Sequence, residues 1–259
     1  MSRSDRTALE CLRLTVSVPG RRLVRELDAV LRPGKVVALL GRNGAGKSSL
    51  LHVLAGLRPA TSGEVELEGR ALPQWPRGEF ALRVALLPQA SDDPFPGSVL
   101  ESALVGRHPH IDFWQWESEA DRAIARECLA AMDLAGLDDR DVTTLSGGER
   151  RRLGIATVLA QTPAYFLLDE PIQQLDPLHQ LGVLRLFRER ADAGACVVMS
   201  LHDPGLAARF ADEALLLFGD GRWSHGPAAE ILDSESVAAL YGVAVRELRW
   251  EDGRTFVPG

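Results

Sequence analysis

The stretch GRNGAGKS at residues 41–48 constrains this chain more than any other. It has the form G-x-x-x-x-G-K-[ST]. The apolar run Val36–Leu40 precedes it, and Leu50, Val53, Leu54 and Leu57 follow at i, i+3, i+4 and i+7. The run reads as a buried strand and the spacing as a helix. A loop between the two turns backbone N–H groups toward one point, where the helix N-terminus adds favourable partial charge for an anion. Gly44 and Gly46 permit backbone angles and close approach that a Cβ would obstruct. In such a loop Lys47 reaches the β- and γ-phosphates of a nucleotide, and the Ser48 hydroxyl is placed to ligate Mg2+. The pattern predicts a phosphate site built from Gly41, Arg42, Asn43, Gly44, Ala45, Gly46, Lys47, Ser48 and Ser49.

The chain has 259 residues and 46% hydrophobic content, enough for one large domain with a full core or a domain with an inserted subdomain. Its net charge of −7 and pI near 5.4 argue against a surface that coats nucleic acid. Cys11, Cys128 and Cys196 are scattered and form no CxxC pair, so buried thiols in a reducing compartment are expected. No apolar stretch approaches the length of a bilayer span, and the first residues lack the apolar region of a signal peptide. The expectation is a cytosolic protein that reaches a membrane through a partner.

Turn signals divide the chain. Leu9 to Val18 and Arg21 to Leu31 read as strands around Pro19-Gly20. Further strands are expected at Glu64 to Glu68, Val84 to Leu87, Tyr165 to Leu168, Cys196 to Met199 and Leu215 to Phe218. From about Ser98 to Gln161 the pattern is helical, with Leu100, Ala103, Leu104, Ile124, Cys128, Leu129 and Met132 apolar. The tail predicts a short helix opened by Pro227, a second from Ser234 to Tyr241, and a hairpin around Asp252-Gly253. Buried strands alternating with helices imply an α/β fold with a mainly parallel sheet, and a ligand beyond the carboxyl ends of its strands. The expected layout is one domain, with a core over about 8–97 and 162–226, a helical subdomain over about 98–161, and a tail from 227.

Two further motifs carry chemistry. Leu167-Leu168-Asp169-Glu170 ends an apolar strand in two acids, the form usually called Walker B. Asp169 is placed to hold Mg2+ through water and Glu170 to polarise an attacking water. Leu145-Ser146-Gly147-Gly148-Glu149 opens a helix with Leu153, Ala156 and Ala160 on one face. Ser146 is a good N-cap, and two glycines leave N–H groups open to an anion.

With the two nucleotide motifs present, LSGGE is the signature of ATP-binding-cassette (ABC) ATPases, and the chain resembles that family over nearly its whole length. The resemblance implies a P-loop NTPase core of the ABC type, with a mainly parallel sheet, N-terminal antiparallel strands and an inserted helical subdomain. It implies ATP and Mg2+ as cofactors, with Ser48, Gln89 and Asp169 toward the metal. Gln89 matches the Q-loop glutamine that senses Mg2+ and the γ-phosphate. Asp176 lies in the D-loop Leu175-Asp176, and His202 matches the switch histidine. Glu170, His202 and Gln89 form the implied catalytic set. In this family two copies close head to tail, each ATP lying between one phosphate loop and the Ser146, Gly147 and Gly148 of the other copy.

Two departures stand out. The family usually stacks an aromatic on adenine near the end of the first strand, yet Met1 to Gln74 contains no Phe, Tyr or Trp. Val18 stands about there, with Arg21 and Arg22 close by. Gln173 and Gln174 follow Glu170 where smaller residues are usual at the dimer seam.

The resemblance further implies integral-membrane permease subunits as partners and, indirectly, a periplasmic or extracellular substrate-binding protein. It implies a peripheral position on the cytoplasmic face of the inner membrane. Candidate permease contacts lie in Asp92 to Trp116, including Phe95, Phe113, Trp114 and Trp116, which equally suit the core of the insertion. Gly106 to His110 (GRHPH) and Leu175 to Gln180 (LDPLHQ) look like the ATPases of metal-chelate importers. Vitamin B12 is the first expected cargo, with haem or a ferric siderophore as the alternative. A soluble ABC ATPase not tied to transport is the reading from another class, and an exporter a nearer rival. His108 and His110 are not expected to ligate metal.

Overall fold

The structure is a computed structural model and describes residues 7–89, 97–112, 114–251 and 253–259. The chain opens with an antiparallel hairpin, β1 (Leu9–Val18) and β2 (Arg21–Leu31), turning at Pro19-Gly20 as the sequence predicts. Strand β3 (Val36–Leu40) delivers the chain through the glycine loop into α1 (Lys47–Leu54). β4 (Ser62–Leu67) and the short β5 (Arg70–Ala71) join the hairpin as a four-stranded sheet of order β2-β1-β4-β5. The short α2 (Arg77–Ala81) then leads into β6 (Val84–Leu87).

Helices α3 (Val99–Leu104), α4 (Glu119–Ala131) and α5 (Gly147–Ala160) follow and pack on one another. Beyond them come β7 (Tyr165–Leu168), α6 (Pro177–Asp192), β8 (Cys196–Leu201), α7 (Pro204–Phe210), β9 (Glu213–Leu217) and β10 (Trp223–Pro227). The tail is α8 (Ala228–Ile231), α9 (Ser234–Tyr241) and a hairpin of β11 (Val245–Trp250) with β12 (Gly253–Pro258). Of its expected turn pair, Asp252 lies outside the described residues.

The central sheet has the order β10-β9-β3-β8-β7-β6, parallel except for the β9–β10 hairpin. Its strands read as unbroken apolar runs because both faces are covered. In β3, Val36, Ala38 and Leu40 face one core cluster with the helices, while Val37 and Leu39 face a second with α1 and the N-terminal strands. The register sets Leu40 beside Leu201, Leu168 beside Met199 and Leu87 beside Leu168. The glycine loop, Asp169-Glu170, His202 and Gln89 therefore all leave the sheet at one edge.

One apolar expectation is corrected. Leu50, Val53 and Leu54 are buried, but Leu57 is 70% exposed. Helix α1 stops at Leu54, and its closing bonds from Ala55 and Gly56 turn the chain away before Leu57. All three cysteines are free and buried, as the sequence predicts. Burial pushes the Cys11 thiol up to about 12 and the Cys128 thiol to about 11, and it raises Cys196 as well.

Candidate nucleotide site

The phosphate loop is shaped by its glycines. Gly46, the N-cap of α1, sits at φ +109°, and a Cβ there would stand 2.8 Å from the Cβ of Leu23. No side chain caps α1, and its first turn holds no acid, so its N-terminal N–H groups are left for an anion. Lys47 is buried, and its Nζ donates to the carbonyls of Gly41 (2.8 Å) and Arg42 (3.4 Å). Burial lowers its pKa, opposed by the charges of Glu170 and Asp169. Ser48 and Ser49 are half-buried on the first turn, and Arg42, Asn43 and Gly44 are exposed.

The two acids leave β7 in different directions. Asp169 is buried, and its Oδ1 accepts a hydrogen bond from Ser200 Oγ at 2.7 Å. The same Oγ accepts from the Glu170 N–H at 2.7 Å. Glu170 takes a left-handed backbone, φ 50°, and its carboxylate meets a different partner from that of Asp169. Its Oε1 lies 2.7 Å from His202 Nε2, and its Oε2 is buried with no hydrogen-bond partner. A buried carboxylate oxygen left in this way is an acceptor still to be satisfied. The hydroxyl of Tyr241, from the tail, donates to the His202 carbonyl at 3.1 Å.

The signature segment sits at the surface. Ser146 caps α5 in a capping box: its Oγ accepts from the Glu149 N–H, and Glu149 accepts from the Ser146 N–H at 2.8 Å. Ser146 and Gly147 are exposed and Gly148 is half-buried. Gln174, itself at φ 64°, packs against them: a Cβ on Gly147 would lie 2.8 Å from its Oε1. Asp176 caps α6 and accepts from the His179 N–H (3.0 Å) and pairs with its Nδ1 (2.6 Å). Gln180 donates to the carbonyls of Leu175 and Ile172, which closes the LDPLHQ loop on itself. Gln89 is exposed at the end of β6, and residues 90–96 lie outside the described residues, Phe95 among them.

Two contributors escaped the sequence reading, and a third was placed only in general. Ser200 is a lone hydroxyl within the buried run of β8, and a buried hydroxyl needs a partner, which was the available signal. Arg151 is a buried charge on the apolar face of α5, i and i+4 from Ile155. Arg21 donates from Nε (3.1 Å) and Nη2 (2.6 Å) to the Gly219 carbonyl beside the phosphate loop, where sequence placed it only in general.

The GRHPH segment is structural in part. A Cβ at Gly106 would stand 2.1 Å from the Thr157 carbonyl oxygen, so only glycine lets this turn lie on α5. Arg107 pairs with Asp121 at 2.9 Å and donates to the Ala160 carbonyl, and His110 Nε2 lies 2.9 Å from the Gln161 carbonyl. Among the described residues no cluster of three or more His, Cys, Asp or Glu could hold a metal. Trp114 and Trp116 are 91% and 89% exposed, so neither belongs to the core of the helical segment. Phe113 lies outside the described residues.

A glycine loop around a buried lysine, a buried strand-end carboxylate and a carboxylate–histidine pair meet at one sheet edge, the layout of the P-loop class of nucleoside-triphosphate-hydrolysing proteins. The ABC transporter family model matches residues 24–173. The hemin import ATP-binding protein HmuV of Streptomyces coelicolor is 43% identical, over 88% of this chain and 81% of that one. HmuV of Gloeobacter violaceus is 45% identical, over 83% of this chain and 79% of its own. A solved inward-facing metal-chelate type ABC transporter matches with TM-score 0.84 at 29% identity, covering 97% of both chains. A nucleotide-free ATP-binding cassette at TM-score 0.74 and 20% identity shares the fold. The chain belongs to the ABC transporter family, as an ATP-binding ATPase subunit.

Proposed function

We propose that this chain hydrolyses ATP to drive an ABC importer of a metal chelate, and that the chelate is haem. The observation that carries the ATPase chemistry is Glu170: one carboxylate oxygen engages His202 and the other is buried and unpartnered. The support for haem is the hemin import function named for relatives at 43% and 45% identity. That ranks haem above vitamin B12, which the sequence alone placed first. Residues 98–161 form the proposed helical subdomain.

In this reading Gly41 to Ser49 cradle the phosphates and Lys47 exchanges its loop carbonyls for β- and γ-phosphate oxygens. Glu170 Oε2 accepts a proton from the attacking water, His202 touches the γ-phosphate, and Gln89 reports its presence. The donor set suits Mg2+, which prefers oxygen ligands: the Ser48 hydroxyl, Asp169 and Gln89 would hold it. When bound it neutralises charge on the phosphates. Arg21, clamped to the Gly219 carbonyl, supplies a cationic plate for the nucleobase in place of an aromatic. Discrimination between ATP and GTP is then weak, and a strong preference for ATP would refute that role.

A second copy closes over the nucleotide with its Ser146, Gly147 and Gly148, and Asp176 lies at the seam. Permease subunits dock beside Gln89. The exposed Trp114 and Trp116 support that face, as does a groove of about 880 Å³ lined by Leu57, Leu72, Trp75 and Phe80. Among the described residues no helix is long and apolar enough to cross a membrane, which fits peripheral attachment at the cytoplasmic face through those subunits. A substrate-binding protein on the far side delivers the cargo.

The test is ATPase activity of the complete transporter in liposomes with binding proteins loaded with haem, cobalamin or a ferric siderophore. Haem-specific stimulation is expected. Stimulation by cobalamin alone would overturn the cargo assignment, and none by any chelate would overturn the importer reading.

A further inference from the structure

Arg151 lies on α5, inside its first turns, and is 9% exposed. A guanidinium has five N–H donors in a fixed fork and stays charged. Here they are spread over five backbone carbonyls. Nε donates to Pro171 (3.3 Å), Nη1 to Pro88 (2.6 Å) and Gln89 (3.3 Å), and Nη2 to Glu170 (2.7 Å) and Asp169. Burial lowers its pKa to about 10, while the charges of Asp169 and Glu170 favour the cation. A buried cation is costly unless it is fully hydrogen-bonded, and this one is.

Its partners come from two segments that the chain joins only through the helical region. One is the end of β6, where Gln89 begins its loop. The other is the end of β7, where Asp169, Glu170 and Pro171 follow the strand. Glu170 has a left-handed backbone that a residue with a Cβ keeps only when its surroundings over-determine it. Its peptide is held on both sides: the N–H by Ser200 Oγ at 2.7 Å, the carbonyl by Arg151 Nη2 at 2.7 Å. Those two bonds hold the backbone from which the side chain leaves, and the Oε1 contact with His202 at 2.7 Å holds its far end, so together they set where the unpartnered Oε2 points.

We propose that Arg151 is a positioning residue for the Glu170 carboxylate, tying its direction to the signature helix and to the chain at Gln89. The guanidinium touches no reacting atom. It acts through the Glu170 carbonyl, so a shift of α5 or of the β6 end, such as a docking partner would impose, changes the aim of Oε2. This role rests on the ATPase reading proposed above.

The experiment uses the full chain: wild type, Arg151→Lys, Arg151→Gln, Glu170→Gln and the double variant Arg151→Lys/Glu170→Gln. Turnover of MgATP and the dissociation constant for ATP are measured on each. A displaced catalytic group costs on the order of 100-fold. Arg151→Gln should therefore lower kcat about 100-fold and Arg151→Lys about 10-fold, with KM and ATP affinity held within about threefold. In the Glu170→Gln background Arg151→Lys should lower the residual turnover no further. A proportional further loss there, or ATP affinity falling in step with kcat, would assign Arg151 a merely structural role and overturn the proposal. So would an unchanged kcat in both single variants beside an active wild type. Should Arg151→Gln not fold, judged by thermal melting, the lysine pair decides alone. A wild type without turnover would overturn the ATPase reading itself.

Discussion

The phosphate loop and the signature segment are both glycine-rich helix N-termini, yet they are built in opposite ways. The N-terminus of α1 has no side-chain cap and no acid in its first turn, and it encloses a buried lysine. The N-terminus of α5 is capped by its own Ser146–Glu149 box, carries an acid in its first turn, and lies at the surface. An anion meets unused N–H donors and positive charge at the first. At the second it meets donors partly in use and a negative charge nearby. The first is equipped to bind a phosphate alone. In the proposed head-to-tail dimer the second would meet a phosphate already held by the loop of the other copy.

The largest expected effect falls on the self-sufficient site. Lys47→Ala removes the buried cation of the loop, leaving only the exposed Arg42, and should weaken ATP binding by 100-fold or more in titration calorimetry. Binding within threefold of wild type would erase the contrast, because the loop N–H groups alone would then suffice. Next comes Glu170→Gln, which keeps the shape of the side chain but loses the proton acceptor. Turnover should fall about 100- to 10,000-fold, the range removed with a general base, while ATP affinity is kept. With saturating ATP this variant should elute as a dimer in gel filtration, and a monomer there would count against the shared site. Ser146→Arg sharpens the comparison from the other side. It places bulk and charge on the exposed cap, so ATP affinity of the dilute chain should stay within about twofold while turnover drops at least 10-fold. Equal losses in both would mean that the signature loop touches nucleotide within its own chain.

Much of the architecture could be read from the sequence. The bounds of β1, β2, β3, β6, β7 and α9 fall where glycine, proline and a change of hydrophobic period place them. The residues of the proposed phosphate site could be named from sequence because each lies within a few positions of its motif. Arg151 and Ser200 were not. Arg151 reaches carbonyls 62 and 63 residues back as well as 18 to 20 forward, and Ser200 bonds residues 30 and 31 before it. Their partners are brought near only by the β6-β7-β8 register, which no local pattern encodes. Leu57 failed for a related reason, since the periodicity continued past the point where the backbone had already left the helix. The packing of Gln174 on Gly147 was also hidden, because it depends on a left-handed turn at a residue that seldom adopts one.

The smallest expected effect isolates the cap that makes the second terminus different. Hydrogen bonds from the Ser146 backbone and side chain, and the neighbouring Arg140 at 3.0 Å, hold the Glu149 carboxyl below its ordinary range. A carboxyl depressed in the folded chain contributes stability that is complete above its unfolded value and is lost as pH falls through the folded one. Glu149→Gln preserves the box geometry, since glutamine serves at that position, but removes the charge. Its melting temperature should lie about 1 °C below wild type at pH 7, in keeping with an exposed pair, and the gap should close as pH drops below the ordinary glutamate range. Removing the acid should also ease approach of the γ-phosphate, so ATP-driven dimerisation of Glu170→Gln/Glu149→Gln should need less ATP than that of Glu170→Gln, by about two- to threefold. A dimer that instead needs more ATP would show that Glu149 helps to bind the nucleotide, and the opposition between the two helix termini would no longer hold.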